Sequence, residues 1–153
     1  LAAGDLETGL NHVDTAIGLA VEPQLLMEAT FARGQCLLGL QRYQEAMEDF
    51  NMILASRAAP RPMKPQALLG MASCLEATGK IRESIPYYQR IYVMYQAYTS
   101  AVATAYLKSG EAFEKINDLK AAINTYREML GLESIATSKE AVEARSRLAK
   151  LES

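Results

Sequence analysis

Residues 34–54 read GQCLLGLQRYQEAMEDFNMIL. Upstream of Gln41 and Arg42 stand Gly34, Leu37 and Leu40, and downstream stand Tyr43, Ala46, Met47, Phe50, Ile53 and Leu54. Both sets repeat at three and four residues, the spacing that puts apolar side chains on one stripe of a helix. A connection this short forces the two helices to run back antiparallel as a hairpin.

The hairpin recurs. Stepping forward 38 residues from Tyr43 gives Ile81, Ser84, Ile85, Tyr88, Ile91 and Tyr92. A further 38 gives Leu119, Ala122, Ile123, Tyr126, Met129 and Leu130. Stepping back 37 gives Leu6, Gly9, Leu10, Val13, Ala16 and Ile17. The first-helix columns recur likewise: Thr30, Gly34, Leu37, Leu40, then Leu68, Ala72, Leu75, Thr78, then Tyr106, Gly110, Phe113, Ile116. Gly34, Ala72 and Gly110 align where two helices must cross closely, since a larger side chain would hold the backbones apart. Self-similarity at such a period marks stacked supersecondary units.

Punctuation sets the boundaries. Gly79, Asn117 and Gly4 fall in the turn column, and Gly and Asn tolerate the left-handed backbone that ends a helix. Gln41 stands there in one unit and predicts a slightly different turn. Pro65 is expected to open a helix, Thr99 or Ser100 to cap the next, and Pro86 to distort its helix without breaking it. The layout is one domain over 1–153: a half repeat at 1–22, hairpins at 23–60, 61–98 and 99–135, and a capping helix within 136–153. That last helix carries Ala141, Ala144, Leu148 and Leu151 on one face and Glu140, Glu143, Arg145, Arg147, Lys150 and Glu152 around it.

These residues resemble the tetratricopeptide repeat family, whose helix–turn–helix unit has a period of about 34 residues. Gly34, Leu37, Tyr43, Glu45, Ala46, Phe50 and Leu54 carry the match most clearly, and Gly110, Phe113, Leu119, Ala122, Tyr126 and Leu130 carry it again. The middle hairpin is looser, with Ser84 in the alanine column. The longer period fits extra residues in the connections between hairpins. The resemblance implies an all-α, right-handed superhelical stack of antiparallel helix hairpins, with first helices lining a concave groove. By register that groove includes Phe31, Gln35 and Leu38, then Leu69, Ser73 and Glu76, then Leu107, Lys108, Glu111 and Glu114, with Lys115 near the edge. Phe31, Leu69 and Leu107 share one column and are expected to form an apolar stripe flanked by polar and acidic groups. An extended or helical peptide is the ligand such a groove takes. Some family members clamp a partner's C-terminal carboxylate with Lys, Asn and Arg. The matching columns here hold Phe31 and Gln35, Leu69 and Ser73, Leu107 and Glu111, so that clamp is not expected.

Composition narrows the classes further. In 153 residues the formal net charge is -2, so no basic field points to nucleic acid. No apolar run approaches the roughly 18 residues of a membrane span. The chain begins at Leu1, which reads as a piece of a longer protein, and the general look of the repeats is bacterial. Cys36 and Cys74 occupy one column of neighbouring first helices, too far apart for a disulfide, and are expected as buried free thiols. His12, the one histidine, is expected to be exposed. No phosphate loop, nucleophile elbow or metal-ligand spacing is present, so neither catalysis nor a cofactor or metal is expected. Tyr88 and Tyr92 are expected in the core, with Tyr87, Tyr95 and Tyr98 as a candidate exposed contact patch. The expected function is a non-catalytic scaffold for a protein or peptide partner, with self-association through exposed repeat ends, as a homodimer, the alternative.

Overall fold

The computed structural model describes residues 3–153, so the first two residues of the expected half repeat lie outside it. Among the described residues the secondary structure is eight α-helices with no strand: α1 (Ala3–Leu19), α2 (Pro23–Gly39), α3 (Tyr43–Ala55), α4 (Met63–Ala77), α5 (Ile81–Met94), α6 (Thr99–Lys115), α7 (Leu119–Leu130) and α8 (Lys139–Leu151). They divide into two compact units, Leu1–Thr78 and Gly79–Ser153.

The turns follow from backbone chemistry. Gln41 has φ 62° and Asn117 has φ 60°. After α2, the Gln41 N–H donates to Leu38 O and the Arg42 N–H to Leu37 O. After α6, the Asn117 N–H donates to Glu114 O and the Asp118 N–H to Phe113 O. This paired pattern satisfies the last carbonyls of a helix and needs one left-handed residue. Gln41 therefore makes the same turn as Asn117, and the different turn expected there is not found. Gly79 has φ 79° and supplies that backbone after α4. Gly4, by contrast, lies inside α1 and makes no turn.

Helix starts differ in detail from the sequence expectation. Pro23 sits at the opening of α2, where a missing N–H costs nothing. Pro65 stands two residues into α4, which begins at Met63. Tyr98 occupies the N-cap of α6 with no side-chain hydrogen bond, so neither Thr99 nor Ser100 caps it. Asp118 and Ser138 cap α7 and α8, each accepting from the N–H three residues on, at 3.1 Å. Pro86 lies within α5, and the helix continues through it.

In the N-terminal unit the core gathers around Phe50. Its ring packs against Gly34 of α2, where an added Cβ would meet Phe50 Cε1 at 3.0 Å, and against Gly70 of α4, where a Cβ would meet Phe50 Cζ at 2.5 Å. Ala46, Ile53, Ala67, Leu68 and Cys74 are buried around it. In the C-terminal unit Tyr126 takes the same part beside Gly110 of α6, where a Cβ would stand 2.5 Å from Tyr126 Cζ. Tyr88, Ile91, Ala105, Ala112, Ala122, Met129, Ala141 and Ala144 are buried in the same unit. A bare Cα at the crossing lets an aromatic ring from the facing helix lie against backbone, which is what holds α2 close to α3 and α6 close to α7.

Candidate functional site

In the N-terminal unit, α2 and α4 are neighbouring first helices. Phe31 is half-buried, its ring tilted 58° to that of Phe50 with centroids 6.1 Å apart. Part of its surface thus belongs to the hairpin interior. Gln35 is exposed, and Leu38, Leu69, Ser73 and Glu76 are half-buried. Fully buried residues alternate with these on α4, namely Leu68, Met71, Ala72 and Leu75. The helix therefore has one closed face and one partly open face that carries Leu69.

In the C-terminal unit Leu107, Lys108, Glu111 and Glu114 are all half-buried on α6. The acidic pair is engaged within the unit. Lys108 Nζ lies 2.8 Å from Glu111. Arg147, from α8, reaches Glu111 at 3.2 Å and Glu114 at 3.3 Å. Tyr126 donates its hydroxyl to Glu114 at 2.5 Å. Burial and that hydrogen bond to a carboxylate both push the Tyr126 phenol far above its usual range, because each disfavours the phenolate. The groove position expected to offer free acidic contacts instead carries an internal ion-pair cluster.

The sequence reading missed a second cluster, in the N-terminal unit. Arg33 of α2 grips Asp49 of α3 through two hydrogen bonds, Nε to Oδ2 at 2.8 Å and Nη2 to Oδ1 at 2.6 Å. Its other nitrogen reaches Asp14 of α1 at 3.4 Å. The Asp49 side chain is only 3% exposed, and its hydrogen bond is the main reason the Arg33 guanidinium is held well above its ordinary pKa. Arg42 and Glu45 form a second two-pronged pair nearby, at 2.7 and 2.6 Å, and the two pairs border a cleft of about 200 Å³. The available signal was the column itself. Arg33 stands where the later hairpins have Met71 and Ser109, and a charge in a core column demands a partner.

The tyrosine-rich stretch is also less open than expected. Tyr88 and Tyr95 are buried, and Tyr87 and Tyr98 are half-buried. Tyr95 and Tyr98 pack ring to ring at 6.3 Å, so the expected exposed patch of Tyr87, Tyr95 and Tyr98 does not form. Tyr92 stacks flat on Tyr106, with centroids 3.9 Å apart. Both cysteines are free thiols, with Cys74 buried and Cys36 only half-buried. His12 is exposed and bonds to the Thr8 carbonyl. Among the described residues no three His, Cys, Asp or Glu side chains could hold a metal ion, and no helix is long and apolar enough to cross a membrane.

A family profile described as tetratricopeptide repeat matches residues 1–61 and 69–141. The chain belongs to the tetratricopeptide repeat family. Its helical hairpins are of the kind that serve generally as protein-interaction scaffolds. A solved structure described as "MamA RS-1 ArsTM double mutant" is similar in fold, with 19% identity and a TM-score of 0.61 over 96% of this chain and 85% of that one. No curated protein sequence matches the chain.

Proposed function

We propose that this protein holds a peptide or helical segment of a partner against its first-helix faces, without catalysing a reaction. The observation that carries this reading is the partly open apolar surface in each unit. Leu38 and Leu69 in the N-terminal unit, and Leu107 in the C-terminal unit, are half-buried on helices whose other faces are closed. Aliphatic side chains left partly in water beside polar neighbours such as Gln35, Ser73 and Lys108 are what an anchor residue of a partner covers. The test compares affinity capture by the wild type with capture by a Leu69→Asp, Leu107→Asp variant whose helicity is verified by circular dichroism. A partner retained by the wild type and lost by the variant supports the reading. A partner captured equally by both refutes it.

Self-association is the second reading, and a separate observation favours it. Leu19 is 74% exposed and Val21 94%, with Leu25 also open, so the end of α1, the connection and the first turn of α2 present three apolar side chains to water. Light scattering over a range of concentrations decides it, since a mass that stays monomeric removes this reading.

A further inference from the structure

Helix α8 is held to the C-terminal unit by charge more than by apolar contact. Of its 13 residues only Ala141 and Ala144 are buried, and each brings a single methyl group. Leu148 and Leu151 are half-buried, and Val142 is exposed. The remaining ties are polar. Arg147 pairs with Glu111 and Glu114 of α6 and with Glu143 of its own helix. Arg127 of α7 pairs with Glu152, and Arg145 donates to the Ala136 carbonyl at 2.7 Å. Partly exposed ion pairs contribute little each and weaken with salt, and a helix this short does not persist by itself. These properties place α8 at the low end of the unit's local stability.

What α8 covers gives this weakness a meaning. Glu111 and Glu114 are the acidic groove residues of α6, and Arg147 already occupies them. We propose that α8 is a built-in occupant of that acidic site, displaced by an arginine-bearing helix of a partner protein. The required chemistry is written in α8 itself: two small residues and an arginine at three-residue intervals, as in Ala141, Ala144 and Arg147. The small residues allow close approach to the unit, and a guanidinium can address two carboxylates at once where an ammonium is a single point charge. This inference rests on the groove reading above and adds to it the class of ligand and the internal competitor.

The test uses the full chain and a fluorescein-labelled peptide with the sequence of residues 138–153, followed by anisotropy. A control peptide carries glutamine in place of the arginine corresponding to Arg147. Arg147→Ala in the protein weakens the internal competitor and leaves the acidic pair in place, so the peptide is expected to bind it about tenfold more tightly than the wild type. Glu111→Gln with Glu114→Gln should abolish binding, as should the control peptide. Amide exchange should show α8 losing protection on peptide addition while α6 and α7 keep theirs. Equal affinity of wild type and Arg147→Ala, or unchanged α8 protection with peptide bound, overturns the proposal. If Arg147→Ala fails to fold, the wild type suffices: α8 protection should drop about tenfold between low salt and about 1 M salt, and no drop overturns the proposal equally. Dimerisation without peptide, abolished by Glu111→Gln and Glu114→Gln, would assign the site to a second copy's α8 and overturn its assignment to a separate partner. The groove reading fails separately, through unchanged partner capture by the Leu69→Asp, Leu107→Asp variant.

Discussion

Replacing Gly110 by alanine is the most direct challenge to the account of how the second helix packs on the first. A Cβ built there stands 2.5 Å from Tyr126 Cζ, whereas carbon atoms in contact prefer about 3.5–4.0 Å. Cε1 of the ring lies closer still, so the ring must retreat by at least about 1 Å to restore that spacing. Tyr126 is fully buried, and its hydroxyl is held by Glu114 at 2.5 Å, so retreat disturbs both the core and that hydrogen bond. Overpacking of this kind costs about 1–3 kcal/mol, and the anchored ring argues for the upper end. Alanine recovers about 1 kcal/mol through helix propensity. The net expectation is a loss of about 2 kcal/mol, a roughly thirtyfold change in the folding equilibrium. Urea denaturation followed by far-ultraviolet circular dichroism measures it. Gly18→Ala is the matched control: nothing lies within 4 Å of its added Cβ, so that variant should gain about 0.5–1 kcal/mol. Adding Tyr126→Leu to Gly110→Ala removes the clashing ring, and the pair should be less damaging than the sum of the two single changes. A Gly110→Ala protein as stable as the wild type, or a strictly additive double variant, would refute the ring-against-backbone argument.

Three further outcomes are expected. Asp49→Ala leaves the Arg33 guanidinium without its buried partner and should cost about 3 kcal/mol, near the lower end for breaking such a pair because Arg33 keeps some access to water; denaturation midpoints read this out. Gln41→Gly relieves a left-handed conformation that a side chain resists and should stabilise by about 1 kcal/mol, while Asn117→Gly should gain less because Asn tolerates that backbone. Burial pushes the Cys74 thiol up to about 11; a raised thiol pKa leaves little reactive thiolate at pH 8, so a thiol reagent should modify Cys36 first and reach Cys74 only as the pH rises or the unit opens.

The hairpins were legible because each element announces itself locally. A stripe such as Tyr43, Ala46, Phe50 and Ile53 needs no tertiary information, and its recurrence at Leu119, Ala122, Tyr126 and Met129 supplies the pairing. The close crossings at Gly34 and Gly110 were legible for the same reason, since both fall in one column. Gly70 was not, because its ring, Phe50, comes from the preceding hairpin and only the stacking of α4 on α3 brings them together. The Arg33–Asp49 pair was hidden because neither residue stands in a column the repeat follows: Arg33 falls between Thr30 and Gly34, and Asp49 between Met47 and Phe50. The candidate site was legible only in part. The columns gave residue identities on the first helices, but the engagement of Glu111 and Glu114 by Arg147 depends on a helix whose polar face reads as an ordinary solvated one. The burial of Tyr95, at the end of α5, likewise depends on tertiary packing that no spacing encodes.

The flat stack of Tyr92 on Tyr106 has an optical consequence. The chain has no tryptophan, so its near-ultraviolet spectrum belongs chiefly to tyrosine. Of the eight tyrosines, all but Tyr43 fall in Gly79–Ser153. Two rings held parallel at 3.9 Å couple their transitions and lend chirality to the signal. Near-ultraviolet dichroism therefore follows the C-terminal unit almost alone, and unfolding of the N-terminal unit passes nearly unseen at those wavelengths. The C-terminal half of the molecule can thus be watched by itself without attaching a dye.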